Sequence, residues 1–167
     1  WAPSEFICES IRKKTDKPVK CIHYHITAEI TKEYARSDFN LPEDKFLYLM
    51  MYDHGSCVER KNPMGVIKAF KKAFPKEETK VGLVIKINNA SNEDDEIIQD
   101  LCREYTNIYL IKETLEKSAV NSLIKCADAV VSLHRAEGFG LVMAEAMLLG
   151  TPVIATNWSA NTEFMNS

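Results

Sequence analysis

The chain has 167 residues, of which 46% are hydrophobic and 27% are charged, and its net charge is −3. This length gives room for one domain with a proper core, and the slight negative charge excludes a basic surface for nucleic acid. No apolar run approaches the length of a membrane span, and the residues after Trp1 do not form a signal peptide.

The first 45 residues predict little regular structure. Residues 1–13 have helical spacing after Pro3-Ser4, which suits a helix start. Residues 18–24 have the composition of a strand. Residues 27–40 are polar and mixed, typical of an irregular segment or one helical turn, and residues 41–44 predict a turn.

The cysteines favour reduced thiols. There are five, an odd number at irregular spacing, which argues against a disulfide framework and for a cytosolic protein. Cys21, His23 and His25 alternate and would share one face of a strand, which could begin a metal site. Because no second cluster of cysteine or histidine follows at ligand spacing, we expect no metal there.

From residue 46 onward, apolar runs alternate with helical patterns. The runs that predict buried strands are 46–52, 81–87, 108–111, 129–133 and 153–156, and the helical patterns are 63–74, 92–103, 116–127, 141–149 and 161 onward. This alternation predicts an α/β protein with an open parallel Rossmann-like sheet and helices on both faces. If the strand order is 3-2-1-4-5, the loops after the first and fourth strands meet at the switch point, where such sheets bind ligands.

The loop after the fourth strand carries the most informative pattern. Gly138 and Gly140 lead into residues 141–149, where eight of nine residues are apolar and the ninth is Glu145. A helix N-terminus after a glycine turn suits phosphate, and the carboxylates of Glu137 and Glu145 on either side suit hydroxyl groups. A sugar nucleotide has this chemistry. The spacing is equally compatible with a structural interpretation, in which Glu137 caps the helix and Glu145 lies on the surface.

Four segments resemble one enzyme family. Glu137-Gly-Phe-Gly-Leu-Val-Met-Ala-Glu145, followed by Gly150-Thr-Pro-Val-Ile-Ala155, is similar to the E-x7-E signature of the retaining glycosyltransferases of family 4. Glu59-Arg-Lys-Asn-Pro63 and Ser159-Ala-Asn-Thr-Glu-Phe164 also resemble that family, in particular its bacterial members. The resemblance covers roughly residue 46 to the end. It implies one half of a GT-B fold.

The resemblance implies roles for individual residues. Glu145 would accept hydrogen bonds from the ribose, Glu137 would face the donor sugar, and Arg60 with Lys61 would stabilise the leaving diphosphate. Many members separate these two cations, so which one contacts phosphate stays open. His134 is equally compatible with a structural role. The donor-binding candidates beside Glu145 are Gly138, Phe139, Gly140, Leu141 and His134. Lys86 is a further candidate because it lies near the carboxyl end of the neighbouring predicted strand.

The implied reaction is glycosyl transfer with retention. The nucleotide-sugar is a substrate, so no cofactor is expected. No metal-binding D-x-D motif occurs, since Asp94-Asp95 belongs to an acidic helix start. The donor stays open between GDP-mannose and a UDP-sugar, with the base near residues 111–113. A polysaccharide or glycolipid is the expected acceptor, and nucleic acid is not an expected partner.

The resemblance also implies a domain organisation. Residues 1–26 would be the end of an acceptor domain and the crossover linker, and residues 27–167 would be the donor-binding domain, truncated at its C-terminus. Because the chain opens on Trp1 and not on methionine, we expect a piece of a longer protein, inactive without its N-terminal acceptor domain. The expected location is cytoplasmic, with peripheral contact at the inner membrane through the missing domain.

Three alternatives compete with this interpretation. The chain could be a non-catalytic sugar-nucleotide-binding domain. A receiver domain would use Asp53 as phosphoacceptor and Lys112 after a later strand, but no acidic pair ends a preceding strand, and Glu137 and Glu145 stay unexplained. A dinucleotide-dependent oxidoreductase would need a glycine-rich turn after the first strand, which residues 53–56 do not supply.

Overall fold

The computed structural model describes residues 1–90, 98–100 and 102–165. The strands are β1 (Phe46–Asp53), β2 (Val81–Asn88), β3 (Ile108–Ile111), β4 (Ala129–Ser132) and β5 (Val153–Ala155). The helices are α1 (Glu5–Arg12), α2 (Val58–Lys61), α3 (Pro63–Ala73), α4 (Lys117–Cys126) and α5 (Leu141–Leu148), with 3-10 turns at Arg36–Phe39 and Ala160–Glu163. Most of the helix predicted over 92–103 lies outside the described residues. Within that range, residues 98–100 and 102 are described and are helical.

The sheet has five strands in the order β3-β2-β1-β4-β5, and every pairing is parallel. The predicted fold class is therefore confirmed, and the strand order that we assumed is the one observed. β1 pairs with β2 on one side and with β4 on the other, so the chain crosses from one side of β1 to the other between β3 and β4. Ligands bind outside the carboxyl ends of the strands at such a point. The loops that follow β1 and β4 therefore define the place to look for a site.

Both faces of the sheet are buried, which explains why its longest strands are almost continuously apolar. On one face, Leu47, Leu49 and Val84 pack with Leu123 and Ile124 of α4. The opposite face has a second core cluster, in which residues of β1 and β2 pack with α3; its buried members include Met50, Ile85, Ile87, Ile67 and Phe70. In the part of the chain that the structure describes, no helix is long and apolar enough to cross a bilayer.

The N-terminal segment packs against the C-terminal end of the described chain. Ser4 caps α1, as the Pro3-Ser4 pattern predicts, and its hydroxyl accepts a hydrogen bond from the backbone N–H of Ile7. The N–H groups of Glu5 and Phe6 donate to the carboxylate of Glu163, at 3.2 and 2.9 Å. A carboxylate at this end of a helix is favourable because it meets the positive end of the helix dipole.

The prediction of a strand over residues 18–24 is wrong. Only an isolated bridge forms there, between Cys21 and Ala2, supported by two backbone hydrogen bonds. The composition of a strand is not sufficient when no neighbouring strand offers a ladder of partners, because the burial that favours strand residues comes from that pairing.

Side-chain hydrogen bonds hold the irregular segment before β1. The hydroxyl of Ser118 in α4 accepts from the N–H groups of Thr31 and Lys32, at 2.9 and 3.0 Å. Arg36 donates to Asp128 at 2.8 Å, next to the start of β4. The backbone N–H groups of this segment therefore find hydrogen-bond partners in side chains of the domain and not in a neighbouring strand.

Candidate functional site

A pocket of about 300 Å³ lies at the carboxyl ends of β1 and β4. The sequence motif after β4 forms most of one wall, and the N-terminal segment contributes Pro3 and Tyr24. The predicted site residues that line it are Lys61, Glu137, Gly138, Phe139, Gly140 and Leu141. Other lining residues that the sequence did not single out are Met51, Ser132, Val142 and Met143. The pocket therefore combines the two loops that the topology brings together.

Glu137 is the electrostatic centre of this pocket. Its side chain is only 8% exposed and lies 2.6 Å from Nζ of Lys61 and 3.0 Å from Nη1 of Arg60. Two cations facing one carboxylate leave a net charge of +1 in this cluster. Because a buried carboxylate is unfavourable without partners, these two ion pairs compensate the burial of Glu137. Glu137 does not cap the helix that follows, because its carboxylate faces the two cations.

The loops after β1 and β4 are joined by three further hydrogen bonds. Nη1 of Arg60 donates to the carbonyl of Ala136 at 2.9 Å, and the N–H of Arg135 donates to the carbonyl of Arg60 at 2.8 Å. Asn62 donates from its side chain to the carbonyl of Leu133, also at 2.8 Å. Arg60 and Lys61 belong to the short helix α2, within the stretch expected to be a polar loop. These links position the cations beside the β4 loop.

Ser159 holds the backbone of Glu137 in place. Its hydroxyl accepts from the N–H of Glu137 at 2.8 Å and donates to the carbonyl of the same residue at 2.6 Å. Ser159 is buried and has a φ of 83°, an uncommon conformation for a residue with a side chain. The sequence singled out Ser159 only as part of a segment that resembles the family 4 glycosyltransferases. Its contact with Glu137 spans 22 positions, which no local pattern can reveal.

The glycine turn begins the helix that follows. Gly140 is the N-cap of α5 and adopts a φ of 99°, which favours glycine. Within the described chain, no side chain caps this helix, so the amide groups of its first turn are open to an anion. Phe139 of the turn packs between Tyr24 and Phe164, with ring centroids 5.4 and 5.3 Å away. The ring is thereby held on the pocket wall.

Replacing Gly140 with alanine should destabilise the turn. We expect a loss of roughly 1–2 kcal/mol in the free energy of unfolding, because L-residues disfavour a positive φ by this amount. The new Cβ would also meet Cε of Met143 at 2.5 Å, although that flexible end can move. Gly138→Ala is the matched control, since its Cβ would meet none of the described atoms within 4 Å. Urea unfolding of both variants measures the difference, and equal stabilities would contradict a strained Gly140.

Glu145 lies away from the Glu137 cluster and has its own cation. Its carboxylate is 12% exposed and accepts a hydrogen bond from Nζ of Lys117, at 2.5 Å. Lys117 starts α4, 28 positions earlier, and was not a predicted site residue. Glu145 is therefore neither unpaired in the apolar helix nor a freely exposed surface residue. It does not line the pocket that contains Glu137.

Lys86 and His134 are buried and have protein partners. Nζ of Lys86 donates to the carbonyl of Ile87 at 3.0 Å and to the side chain of Asn88. Burial lowers the pKa of Lys86, and the nearby carboxylates of Glu113 and Asp53 oppose that shift. Neither Lys86 nor His134 lines the pocket of Glu137.

Both ring nitrogens of His134 are occupied. Nδ1 lies 2.9 Å from the hydroxyl of Ser132, and Nε2 lies 3.0 Å from Oδ1 of Asn161 and 3.1 Å from the carbonyl of Trp158. Since the two partners of Nε2 are acceptors, Nε2 donates to them, and the hydroxyl of Ser132 is the partner of Nδ1. This arrangement corresponds to the structural role that the sequence left open for His134.

The family model of the group 1 glycosyl transferases matches residues 31–167. The chain belongs to this family. Membership excludes the receiver domain and the dinucleotide-dependent oxidoreductase as alternatives. It agrees with the position of Asp53, whose carboxylate is already engaged by the N–H of Gly55 and the side chain of Asn89. A search of curated proteins found no significant sequence match.

Solved structures of glycosyltransferases have the fold of this group 1 chain. HepE from Anabaena, solved with UDP and glucose, superposes with a TM-score of 0.79 at 16% identity, over 99% of this chain and 46% of HepE. WaaG, a glycosyltransferase involved in lipopolysaccharide biosynthesis, gives 0.61 at 20% identity, over 77% and 33% of the two chains. Starch synthase IV from Arabidopsis thaliana, bound to ADP and acarbose, gives 0.62 at 14% identity, over 79% and 27%. The chain therefore spans less than half the length of each.

Proposed function

We propose that this chain is the donor-binding half of a retaining glycosyltransferase of family 4. The full protein would transfer a sugar from a nucleotide-sugar to a polysaccharide or glycolipid. One observation supports this most directly: buried Glu137 and Lys61 line one pocket at the switch point together with the open N-terminus of α5, and Arg60 contacts Glu137 beside that pocket. A carboxylate, two cations and free amide groups together match the sugar and the diphosphate of such a donor.

The two cations have a specific role in this proposal. Without donor, Glu137 neutralises one of the two positive charges. A bound diphosphate would compete with Glu137 for Lys61 and Arg60, and the released carboxylate would accept hydrogen bonds from the sugar hydroxyls. As the glycosidic bond breaks, negative charge grows on the diphosphate, and cations positioned beforehand stabilise it. The amide groups at the start of α5 would add to this stabilisation, since a helix N-terminus favours anions.

The donor half should bind nucleotide without the rest of the protein. We expect one of UDP, GDP or ADP, or one of their sugars, to raise the melting temperature of this chain, because a ligand that binds only the folded state stabilises it by mass action. A thermal-shift screen with all three nucleotides identifies the base. If none of them raises the melting temperature at millimolar concentration, donor binding by this chain is contradicted.

Glu145→Ala should weaken binding of the nucleotide so identified. In the proposal Glu145 accepts hydrogen bonds from the ribose, and a hydrogen bond to a charged group contributes about 1.5–3 kcal/mol, which corresponds to a loss of roughly tenfold to a hundredfold. Glu33→Ala is the matched control, because Glu33 also pairs with a lysine, Lys125, but is 74% exposed. Calorimetric titration compares the variants. Unchanged affinity for Glu145→Ala would remove this residue from the donor site.

Transfer activity requires a second experiment. We expect this chain alone to be inactive and to gain turnover once an acceptor domain precedes it, because the proposed acceptor site belongs to that domain. The assay follows sugar transfer from the donor that the thermal screen selects. Nucleotide binding without turnover, even with the acceptor domain present and over a broad acceptor panel, would support the non-catalytic sugar-nucleotide-binding domain instead.

A further inference from the structure

Three side chains of metal-ligand type meet between α1 and the segment that follows it. Glu5 and Cys8 lie one turn apart on α1, and Cys21 faces them from the bridge with Ala2. The carboxylate oxygen of Glu5 and the two sulfur atoms all lie within 4.8 Å of one another. Cys8 is fully buried, and Cys21 is half-buried. The sequence expectation of no metal considered Cys21 without Cys8, whose approach depends on the packing of α1.

His23 adds an imidazole to this group. Its two ring nitrogens lie 3.8 and 3.7 Å from Sγ of Cys21. Two ligands on a tetrahedral zinc ion, with Zn–S of about 2.3 Å and Zn–N of about 2.0–2.1 Å, are roughly 3.6 Å apart. The observed separation is therefore close to that required. The side chain of His23 is 59% exposed, so its ring can turn toward a metal without disturbing the core.

The present partners of these ligands are weak competitors. Glu5 forms an ion pair with Arg12 at 2.7 Å, but the two side chains are 51% and 45% exposed. Exposed pairs of this kind contribute at most about 1 kcal/mol. Nδ1 of His23 lies 3.2 Å from the carbonyl of Pro3 and 4.0 Å from the carboxylate of Glu163, whereas Nε2 faces Sγ of Cys21. A divalent cation can therefore recruit both side chains at little cost.

We propose that Glu5, Cys8, Cys21 and His23 form a zinc site. Two thiolates with one imidazole and one carboxylate suit a borderline-soft divalent ion, and four protein ligands are typical of a structural site. On binding, each thiol would release its proton to solvent, so that zinc forms two Zn–S bonds and no electron is transferred. A disulfide between Cys8 and Cys21 would use only the two sulfur atoms, whereas a zinc ion would also bind the carboxylate and the imidazole beside them.

The site would anchor the N-terminal segment to the donor pocket. The hydroxyl of Ser4, directly before α1, donates to the carbonyl of Gly138 at 2.8 Å. A metal that joins α1 to Cys21 and His23 would hold Ser4 and Tyr24 where they contact the glycine turn. This inference goes beyond the proposed function and does not depend on nucleotide binding.

The test is a metal titration of the fully reduced 167-residue chain. We expect one equivalent of Co²⁺ to give thiolate charge-transfer absorption with tetrahedral d–d bands, and Zn²⁺ to displace it and raise the melting temperature. Cys21→Ser and His23→Ala should each weaken binding by more than about tenfold, since even outer-shell partners of a metal contribute that much. Cys57→Ser, which removes an exposed thiol elsewhere, should bind like the unaltered chain.

Several outcomes would overturn the proposal. These are the absence of one-to-one binding, unaltered affinity in Cys21→Ser or His23→Ala, and equal loss in Cys57→Ser. If the reduced chain forms a Cys8–Cys21 disulfide in air as fast with one equivalent of zinc as without it, as followed by mass spectrometry, the proposal is also overturned, because zinc-bound thiolates resist oxidation. Cys8 is avoided as a target because it is buried, and circular dichroism without metal verifies that each variant is folded. If Cys21→Ser fails to fold, His23→Ala on the surface decides the question.

Discussion

Lys61→Met is expected to weaken nucleotide binding by more than tenfold and to lower the free energy of unfolding by about 2–3 kcal/mol. Lys61 lies 2.6 Å from Glu137, whose side chain is 8% exposed. Removing one partner of a buried ion pair costs roughly 3–5 kcal/mol, because the other charge stays buried. Arg60 remains at 3.0 Å and reduces that cost. Methionine keeps the apolar stem of the lysine, so the loss reports the charge.

Lys125→Met is the matched control for this variant. Lys125 also pairs with a glutamate, Glu33, but the two side chains are 52% and 74% exposed. Exposed pairs contribute about 0–1 kcal/mol, so this control should be nearly as stable as the unaltered chain. Urea unfolding measures stability, and calorimetric titration with the preferred nucleotide measures affinity. If Lys61→Met and Lys125→Met behaved alike, Lys61 would have no part in either the buried pair or diphosphate binding.

His134→Ala is expected to destabilise the fold by about 2–5 kcal/mol and to leave nucleotide affinity nearly unchanged. The imidazole is 1% exposed and has hydrogen-bond partners on both sides. Its removal would leave Oδ1 of Asn161 without a donor, which costs about 1–3 kcal/mol, and would open a cavity. His25→Ala, at an exposed position, is the control and should be neutral.

Urea unfolding of the two histidine variants gives the stability, and titration of the folded protein gives the affinity. The two results separate the roles that the sequence left open for His134. If His134 is structural, its replacement lowers the urea midpoint of unfolding and leaves the dissociation constant for the nucleotide unchanged. The opposite result, normal stability with binding weakened more than tenfold, would assign His134 to direct donor contact and contradict the structural role.

The parallel sheet could be predicted because its strands are buried on both faces. A run such as residues 46–52 is then apolar at every position, and the match of β1 with that run is close. Strand order was only assumed in the sequence argument, yet the alternation of strands and helices restricts it to few arrangements. Most of the fold could therefore be predicted from local sequence patterns. The exception, residues 18–24, needed a neighbouring strand that the chain does not provide.

The candidate site was less predictable, for a physical reason. The resemblance indicated Glu137 and the pair Arg60-Lys61 separately, but the contact between Lys61 and Glu137 joins positions 76 apart. Lys117 beside Glu145 and Ser159 beside Glu137 were missed because such pairs arise from packing between elements rather than from periodicity within one. Lys86 was predicted to be a donor-binding residue because it lies near a strand end. In the structure it is buried, and its amine donates to the side chain of Asn88.

Asn62 has a consequence for the energetics of donor recognition. This single residue ends α2, begins α3 in a left-handed conformation and donates to the carbonyl of Leu133. Together with the bonds between Arg60 and the β4 loop, it makes the two walls of the cleft one preorganised unit. Little conformational entropy then remains to be lost when a sugar nucleotide arrives, so more of its contact energy can appear as affinity.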